Sequence, residues 1–418
     1  MLTFKKILEP QYLKKFHCIA SACQDSCCTG WDVVVDKATY DIYQQSQNIL
    51  LKPMFHDHIM INIDSTGNSS YARIAMNNYV CPFLTEDRLC IIQKTLNEES
   101  LSITCDTYPR TFNNLDGLLE RSLCVSCPSA AELVLMNEEP MQFNSSETVV
   151  LVRNNQIPVL NTGDDVNAKP YRYFQEIRNF IITLLQDRTY PLWQRLVILS
   201  VFCDRLDQVS AELYDEDIPY IIAYFKDKIQ KGEFRESMDN AGDRSEIQLQ
   251  VMRILIDHRL NGNFVSKKFL VYVNEFVKGL GGIDGICQET ISLRYKEAYT
   301  TYYQPFMEKH EYVLENYLVN YVFKNLFPFR PQKSIYFDQK SIYTEYILLV
   351  IHYSLIKTLL IGIAGYHQEN FNSKHVITLI QTFAKSIEHN LPYLKQAVQF
   401  IEASNMNNTS GMTILIKN

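Results

Sequence analysis

Several familiar catalytic signatures are missing. There is no G-x-S-x-G, no Walker phosphate loop and no H-E-x-x-H, which leaves serine-hydrolase, P-loop and zincin chemistry without their defining residues. Basic charge is not in excess: 40 Lys and Arg face 47 Asp and Glu, a net charge of −7. Nucleic acid is therefore not expected as a partner, because phosphate binding wants a basic surface. Glycine and proline are modest at 14 each, as in ordinary globular chains. The opening MLTFKKILEPQYLKKF has neither an apolar run of signal-peptide length nor a small-residue cleavage site, so a cytoplasmic protein is expected. No period repeats, which argues against a solenoid. The nearest thing to a nucleotide loop, Lys278-Gly279-Leu280-Gly281-Gly282, follows a helical period rather than a strand. Gly279 there reads as a helix C-cap.

Cysteine, by contrast, is concentrated. Nine of the 11 lie in the first third of the chain: Cys18, Cys23, Cys27, Cys28, Cys81, Cys90, Cys105, Cys124 and Cys127. Core cysteines would scatter. In a reducing compartment such clustering points to metal ligands or catalytic thiols, and an odd total fits poorly with a complete disulfide framework. Cys18-x4-Cys23-x3-Cys27-Cys28 is neither a zinc-ribbon pair nor a C-x-x-x-C-x-x-C loop. Adjacent Cys27 and Cys28, if extended, would point to opposite sides and serve two centres or two irons of one. Zinc and iron–sulfur both remain open on spacing alone. The nine histidines are dispersed, with His17 beside Cys18 as a spare ligand.

The expected fold is α+β, with a small cysteine-rich metal-binding domain over residues 1–135 followed by a larger all-α domain over 171–405. In the first domain DVVVD reads as a strand, Asp36 as the cap of KATYDIYQQS, and Asn113–Gly117 as a turn between two short strands. Cys127-Pro128 opens a helix. Residues 136–170 read as a connecting ribbon. From Tyr171 onward apolar positions recur at helical spacing, and 406–418 read as a frayed tail. Tyr346–Gly365 approaches the length of a membrane span, but His352, Ser354 and Lys357 interrupt it. A core helix is the expectation, with peripheral membrane association as the alternative.

One further group stands out, Thr104-Cys105-Asp106-Thr107-Tyr108-Pro109-Arg110. A cysteine ligand there would bring Asp106, Tyr108 and Arg110 near a metal. Arg110 can clamp a carboxylate, and Tyr108 or Asp106 can orient an amine or accept its proton. The other reading pairs Arg110 with a local acid and packs Tyr108 in the core.

The blocks YLKKFHCIASACQDSCCTGWDVVVDKATYDIY, CPFLTEDRLCIIQKTLNEESLSITCDTYPRTFNN and LLERSLCVSCPSAAELVL together resemble the flagellin lysine-N-methylase family. That family's N-terminal part is related to the CxxCxxCC-type zinc- or iron-chelating domain. YFQEIRNFIITLLQDRTYPLWQRL and ENYLVNYVFKNLFPF extend the likeness over nearly the whole chain. The resemblance implies methyl transfer from S-adenosylmethionine to lysine ε-amines of flagellin, and a [4Fe–4S] cluster. By motif its metal ligands fall on Cys18, Cys23, Cys27, Cys28, Cys81, Cys90, Cys105 and Cys127. Eight exceed the four that one cluster takes, so either two centres form or some thiols do other work. Cys124 departs from the family pattern and is set aside as a spectator. Glu132 stands where the family tends to be basic. Asp106, Tyr108 and Arg110 are the candidate catalytic residues. Oligomerisation is left open.

Overall fold

The computed structural model describes residues 3–417, except 64, 66, 151–156, 164–168, 211–216, 240–241, 263, 283–286 and 330–340. The fold is α+β, with sheet near the N-terminus and helix after helix beyond it. Strands β1 (Thr3–Pro10), β5 (Arg110–Leu115), β6 (Leu118–Leu123), β7 (Phe143–Val150) and β8 (Val159–Leu160) form a five-stranded sheet in the order β7-β1-β6-β5-β8. β5 and β6 are an antiparallel hairpin with Leu115 opposite Leu118. Its two-residue turn holds Asp116 at φ 50° and Gly117 at φ 85°, the left-handed pair that matches strand twist. The stretch read as a connecting ribbon carries two strands of this sheet, β7 and β8, and β7 runs antiparallel to β1 over all eight residues. Part of its VVLV run lies outside the described residues.

β2 (Val34–Val35), β3 (Ile59–Ile61) and β4 (Ala72–Ile74) make a separate three-stranded sheet ordered β2-β4-β3. Asp36 caps the helix Lys37–Gln45, its carboxylate accepting from the Thr39 N–H at 3.0 Å.

Buried residues fall into two groups, and they do not part at residue 135. Val33, Tyr43, Phe55, Phe83, Ile92 and Leu101 belong to a small core confined to residues 33–101. A single large core runs from Tyr12 and Leu13 through Leu123 and Val134 to the C-terminal Ile416. The reason is the helix Tyr312–Lys324, which packs on both the hairpin and the helix Pro128–Leu135. Its Asn320 amide donates to the Leu123 carbonyl at 3.1 Å, and its Asn316 amide donates to Leu135 and Asn137 carbonyls. A buried bidentate pair ties β6 to the helix Phe174–Leu185, with Arg178 donating to the two oxygens of Glu120 at 2.7 and 2.5 Å. A cysteine-rich lobe thus sits on a larger body that includes the main sheet.

The helix Ile342–His367 runs through that body with its apolar window wholly buried, as expected of a core helix. Its polar interruptions have partners inside: Ser354 donates to the Leu415 carbonyl at 2.8 Å and Lys357 to that of Ile416 at 2.9 Å. Burial pulls the Lys357 ammonium down to about 7. Those carbonyls end the helix Thr409–Ile416, so the described part of the stretch read as a frayed tail, residues 406–417, is a packed helix and its flanks. Asn408 caps this helix, and Met412, Leu415 and Ile416 are fully buried. At Gly279 the helix Lys267–Gly279 meets Gly362 so closely that a Cβ would stand 1.8 Å from the Gly362 carbonyl oxygen. The turn that follows places Gly281 and Gly282 at positive φ, donating back to the Lys278 and Val277 carbonyls. This is a helix terminus, not a nucleotide loop.

Candidate active site

A cavity of about 610 Å³ opens where the start of β5 faces two helix ends. Asp106, Tyr108 and Arg110 all line it. The sequence-flagged trio is therefore brought together on one wall. Trp31, from the cysteine loop, adds a ring 5.1 Å from that of Tyr108. Arg110 stacks its guanidinium 5.1 Å from the Phe16 ring, a cation–π contact, and pairs with no acid among the described residues. Tyr108 donates to, or accepts from, the Ser126 hydroxyl at 3.0 Å, and burial pushes its phenol well above the ordinary value.

The opposite wall was not anticipated. Lys324 and Asn325 come from the C-terminal end of the helix Tyr312–Lys324. Glu388 and His389 follow the helix Ser373–Phe383, whose continuation Ala384–Glu388 winds as a π-helix. Such wide turns re-aim side chains and recur at functional sites. Lys324 pairs with Glu388 at 2.7 Å, and Tyr317 donates to the same carboxylate at 2.7 Å. Burial alone would raise the Glu388 carboxyl; Lys324, His352 and the Tyr317 hydroxyl together outweigh it and hold the group at about 2. Burial alone would lower the Lys324 ammonium, and Glu388 raises it instead.

Between the walls lies Cys124, which is no spectator in space. Its Sγ is 3.1 Å from Ser126 Oγ and 3.4 Å from His389 Nε2. Burial would push this thiol up, but Lys324 and His389 together bring it down to about 6. Among the described residues it is the one cysteine that lines the cavity. Its partners lie 200 and 265 positions away in the chain, so no local motif could have revealed them.

The Trp31 indole N–H donates to the Cys27 carbonyl at 2.6 Å. Cys124 aside, the other cysteines of the first third gather around Cys27 and Cys23, whereas Cys203 is buried in the helix Leu192–Ser210 and Cys287 precedes the helix Gln288–Ala298. All 11 are free thiols. Cys27 and Cys28 occupy a turn, not extended chain, and their sulfurs are hydrogen-bonding neighbours instead of pointing apart. Cys81 shares a hydrogen bond with Cys28, while Cys90 and Cys105 lie within electrostatic reach of Cys27. Cys18, Cys23 and Cys127 form a second neighbourhood. Burial raises Cys105 to about 12 and Cys127 to about 11. Among the described residues no three Cys, His, Asp or Glu side chains converge as tightly as a single ion would draw them. The donor set still suits a thiolate-ligated centre in kind: crowded, partly buried thiols resist ionisation until a cation compensates their charge.

The cysteine loop is fastened to the helical body beside this cavity. Lys385 pairs with Asp25 at 2.6 Å and donates to the Ser26 carbonyl at 2.9 Å. Gln381 donates to Asp25 at 2.9 Å and to the Ser126 carbonyl at 2.6 Å.

Residues 178–415 match the family described as FliB lysine N-methylase C-terminal domain. The match spans more than half of the chain, and the chain belongs to this family. The lysine-N-methylases of Salmonella typhimurium (strain LT2) and Salmonella choleraesuis are each 22% identical to it over 404 residues, covering 95% of this chain and 95% of theirs. The flagellar biosynthetic protein FliU of Salmonella muenchen is 32% identical over 144 residues, which are 34% of this chain and 84% of that protein. No solved structure matches.

Proposed function

We propose that this chain is a protein-lysine N-methyltransferase, carrying methyl groups from S-adenosylmethionine to lysines of flagellin in the cytoplasm, with the transfer in the cavity just described. Membership of the FliB family carries this reading, and the names of the relatives, lysine-N-methylase and a flagellar biosynthetic protein, agree with it. The cavity supports it in kind. Its volume falls within the roughly 300–1,000 Å³ common for small-molecule sites. Trp31 and Tyr108 offer an aromatic wall for adenine, and Arg110 a cation for the donor's carboxylate.

Methyl transfer by in-line attack needs a neutral amine held about 3–3.5 Å from the methyl carbon. Asp106 receives the incoming ammonium, and Tyr108 orients it. Tyr108 is not suited to be the base: burial keeps its phenol protonated. The Lys324–Glu388 pair keeps the far wall polar without adding net charge.

The thiols of Cys27, Cys28, Cys81, Cys90 and Cys105 are the set from which the ligands of a [4Fe–4S] cluster, four at most, would be drawn, with zinc as the alternative occupant and Cys18, Cys23 and Cys127 as a second set. When bound, the cluster would cross-link these segments and supply an electron-accepting centre beside Trp31.

The test is anaerobic purification, iron, zinc and sulfide analysis, and incubation with S-adenosylmethionine and flagellin followed by peptide mass spectrometry. Methyllysine formed only when donor is present is the expected result. Neither donor binding nor transfer would overturn the reading and leave a metal-stapled adaptor in its place.

A further inference from the structure

The reaction needs a group to take the proton of the acceptor ammonium, and on the first wall Tyr108, kept protonated by burial, does not supply one. The opposite wall does. His389 lines the cavity with a solvent-accessible ring, although protein surrounds it on most sides. Its Nε2 lies 3.4 Å from both Cys124 Sγ and Ser126 Oγ, and the Ser126 hydroxyl reaches Tyr108 at 3.0 Å. The hydroxyl of Ser126 therefore joins the two walls.

We propose that His389 is the proton acceptor of the transfer, positioned by Cys124 and Ser126 and facing Tyr108 across the cavity. This rests on the lysine methyltransferase reading and adds a residue to it. The acceptor R–NH3+ gives one proton to neutral His389, leaving R–NH2. The nitrogen lone pair then attacks the methyl carbon. The N–C bond forms as the C–S+ bond breaks, and that bond's electron pair stays on sulfur, giving a neutral thioether and R–NH2CH3+. His389 returns its proton to water through the open mouth of the cavity.

The charged and titratable groups around the ring are Cys124, Lys324 and Glu388, with Tyr108 one hydroxyl away. Burial alone would lower the imidazole, but Cys124 raises it overall. That moves a base of ordinary value about 6.5 toward the working pH, where general bases are most effective.

The experiment compares the metal-loaded wild type with His389→Gln and Ser126→Ala, using flagellin and S-adenosylmethionine, as single-turnover rates across pH. Folding is checked by thermal unfolding, and His389→Ala is assayed with added imidazole. General-base catalysis is worth about 100- to 10,000-fold. We expect His389→Gln to slow transfer at least about 100-fold near neutrality and to converge on wild type as the pH nears the lysine's own ionisation. Imidazole should restore His389→Ala in part. Wild-type rates and an unchanged pH profile in His389→Gln, with methyllysine still formed, would overturn the inference alone. A wild type that forms no methyllysine overturns both.

Discussion

The two lobes of this molecule are held together by different physics. The large body has one continuous apolar core crossed by buried ion pairs and by a glycine contact that brings two helix backbones together. The cysteine-rich lobe has a core of only 12 buried apolar residues, and it leaves Ile49 and Ile63 about nine-tenths exposed. So little burial leaves a small unit dependent on cross-links. Here the candidates are the gathered thiols and the Lys385–Asp25 clamp. The cavity lies where the two lobes meet, so the chemistry proposed for it depends on the weaker one staying docked.

The comparison breaks most visibly if the large body is not one cooperative unit. Removing one partner of a buried ion pair typically costs about 3–5 kcal/mol, and we expect that from Arg178→Ala in denaturant unfolding. Arg178→Met with Glu120→Leu should recover most of the loss. Two separate transitions would show that sheet and helices fold apart.

Glu388→Gln comes next. A carboxyl depressed to about 2 from an unfolded value near 4.5 contributes stability that is complete above the unfolded value and lost as pH falls through the folded one. That is roughly 3 kcal/mol at neutral pH. The variant should be less stable by about that much at pH 7, with the gap closing between about pH 4.5 and 2. A gap independent of pH would mean that the carboxylate's charge is not what stabilises the fold.

Lys385→Ala sharpens the contrast from the other side. Its hydrogen bonds to a charged partner are worth about 1.5–3 kcal/mol, and they act on the docking of the cysteine loop alone. Protease cleavage within residues 17–108 and alkylation of Cys23 and Cys27 should accelerate roughly 10- to 150-fold, with the unfolding midpoint of the large body unchanged. Equal sensitivity of both lobes would erase the distinction.

What the sequence made legible was local. The cap at Asp36, the Asp116-Gly117 hairpin and the helix opened by Pro128 follow from side-chain chemistry within four residues. Asp106, Tyr108 and Arg110 share a cavity wall because they sit on one short stretch. Lys324, Glu388 and His389 could not be read, since only tertiary packing brings them to Cys124. Cys124 itself was set aside for breaking a family pattern, when its neighbours decide its chemistry. The C-terminal helix was missed for a smaller reason. Its polar start, Asn407-Asn408-Thr409-Ser410-Gly411, looks like fraying, yet Asn408 is a cap and Met412, Leu415 and Ile416 recur at helical spacing.

The smallest effect tests whether the hairpin is a frame or a working part. Gly117 sits at φ 85° with nothing within 4 Å of where a Cβ would stand. Substitution there costs backbone strain and no packing. Gly117→Ala should therefore lose about 1 kcal/mol, and Gly117→Asn less, because asparagine tolerates the left-handed region. Arg110, at the other end of β5, faces the cavity while the turn does not. Methyl transfer should accordingly be untouched in both variants. If Gly117→Ala slowed transfer as much as it destabilised the fold, strand β5 would have to move as one piece during turnover. The cavity wall could then no longer be treated as fixed.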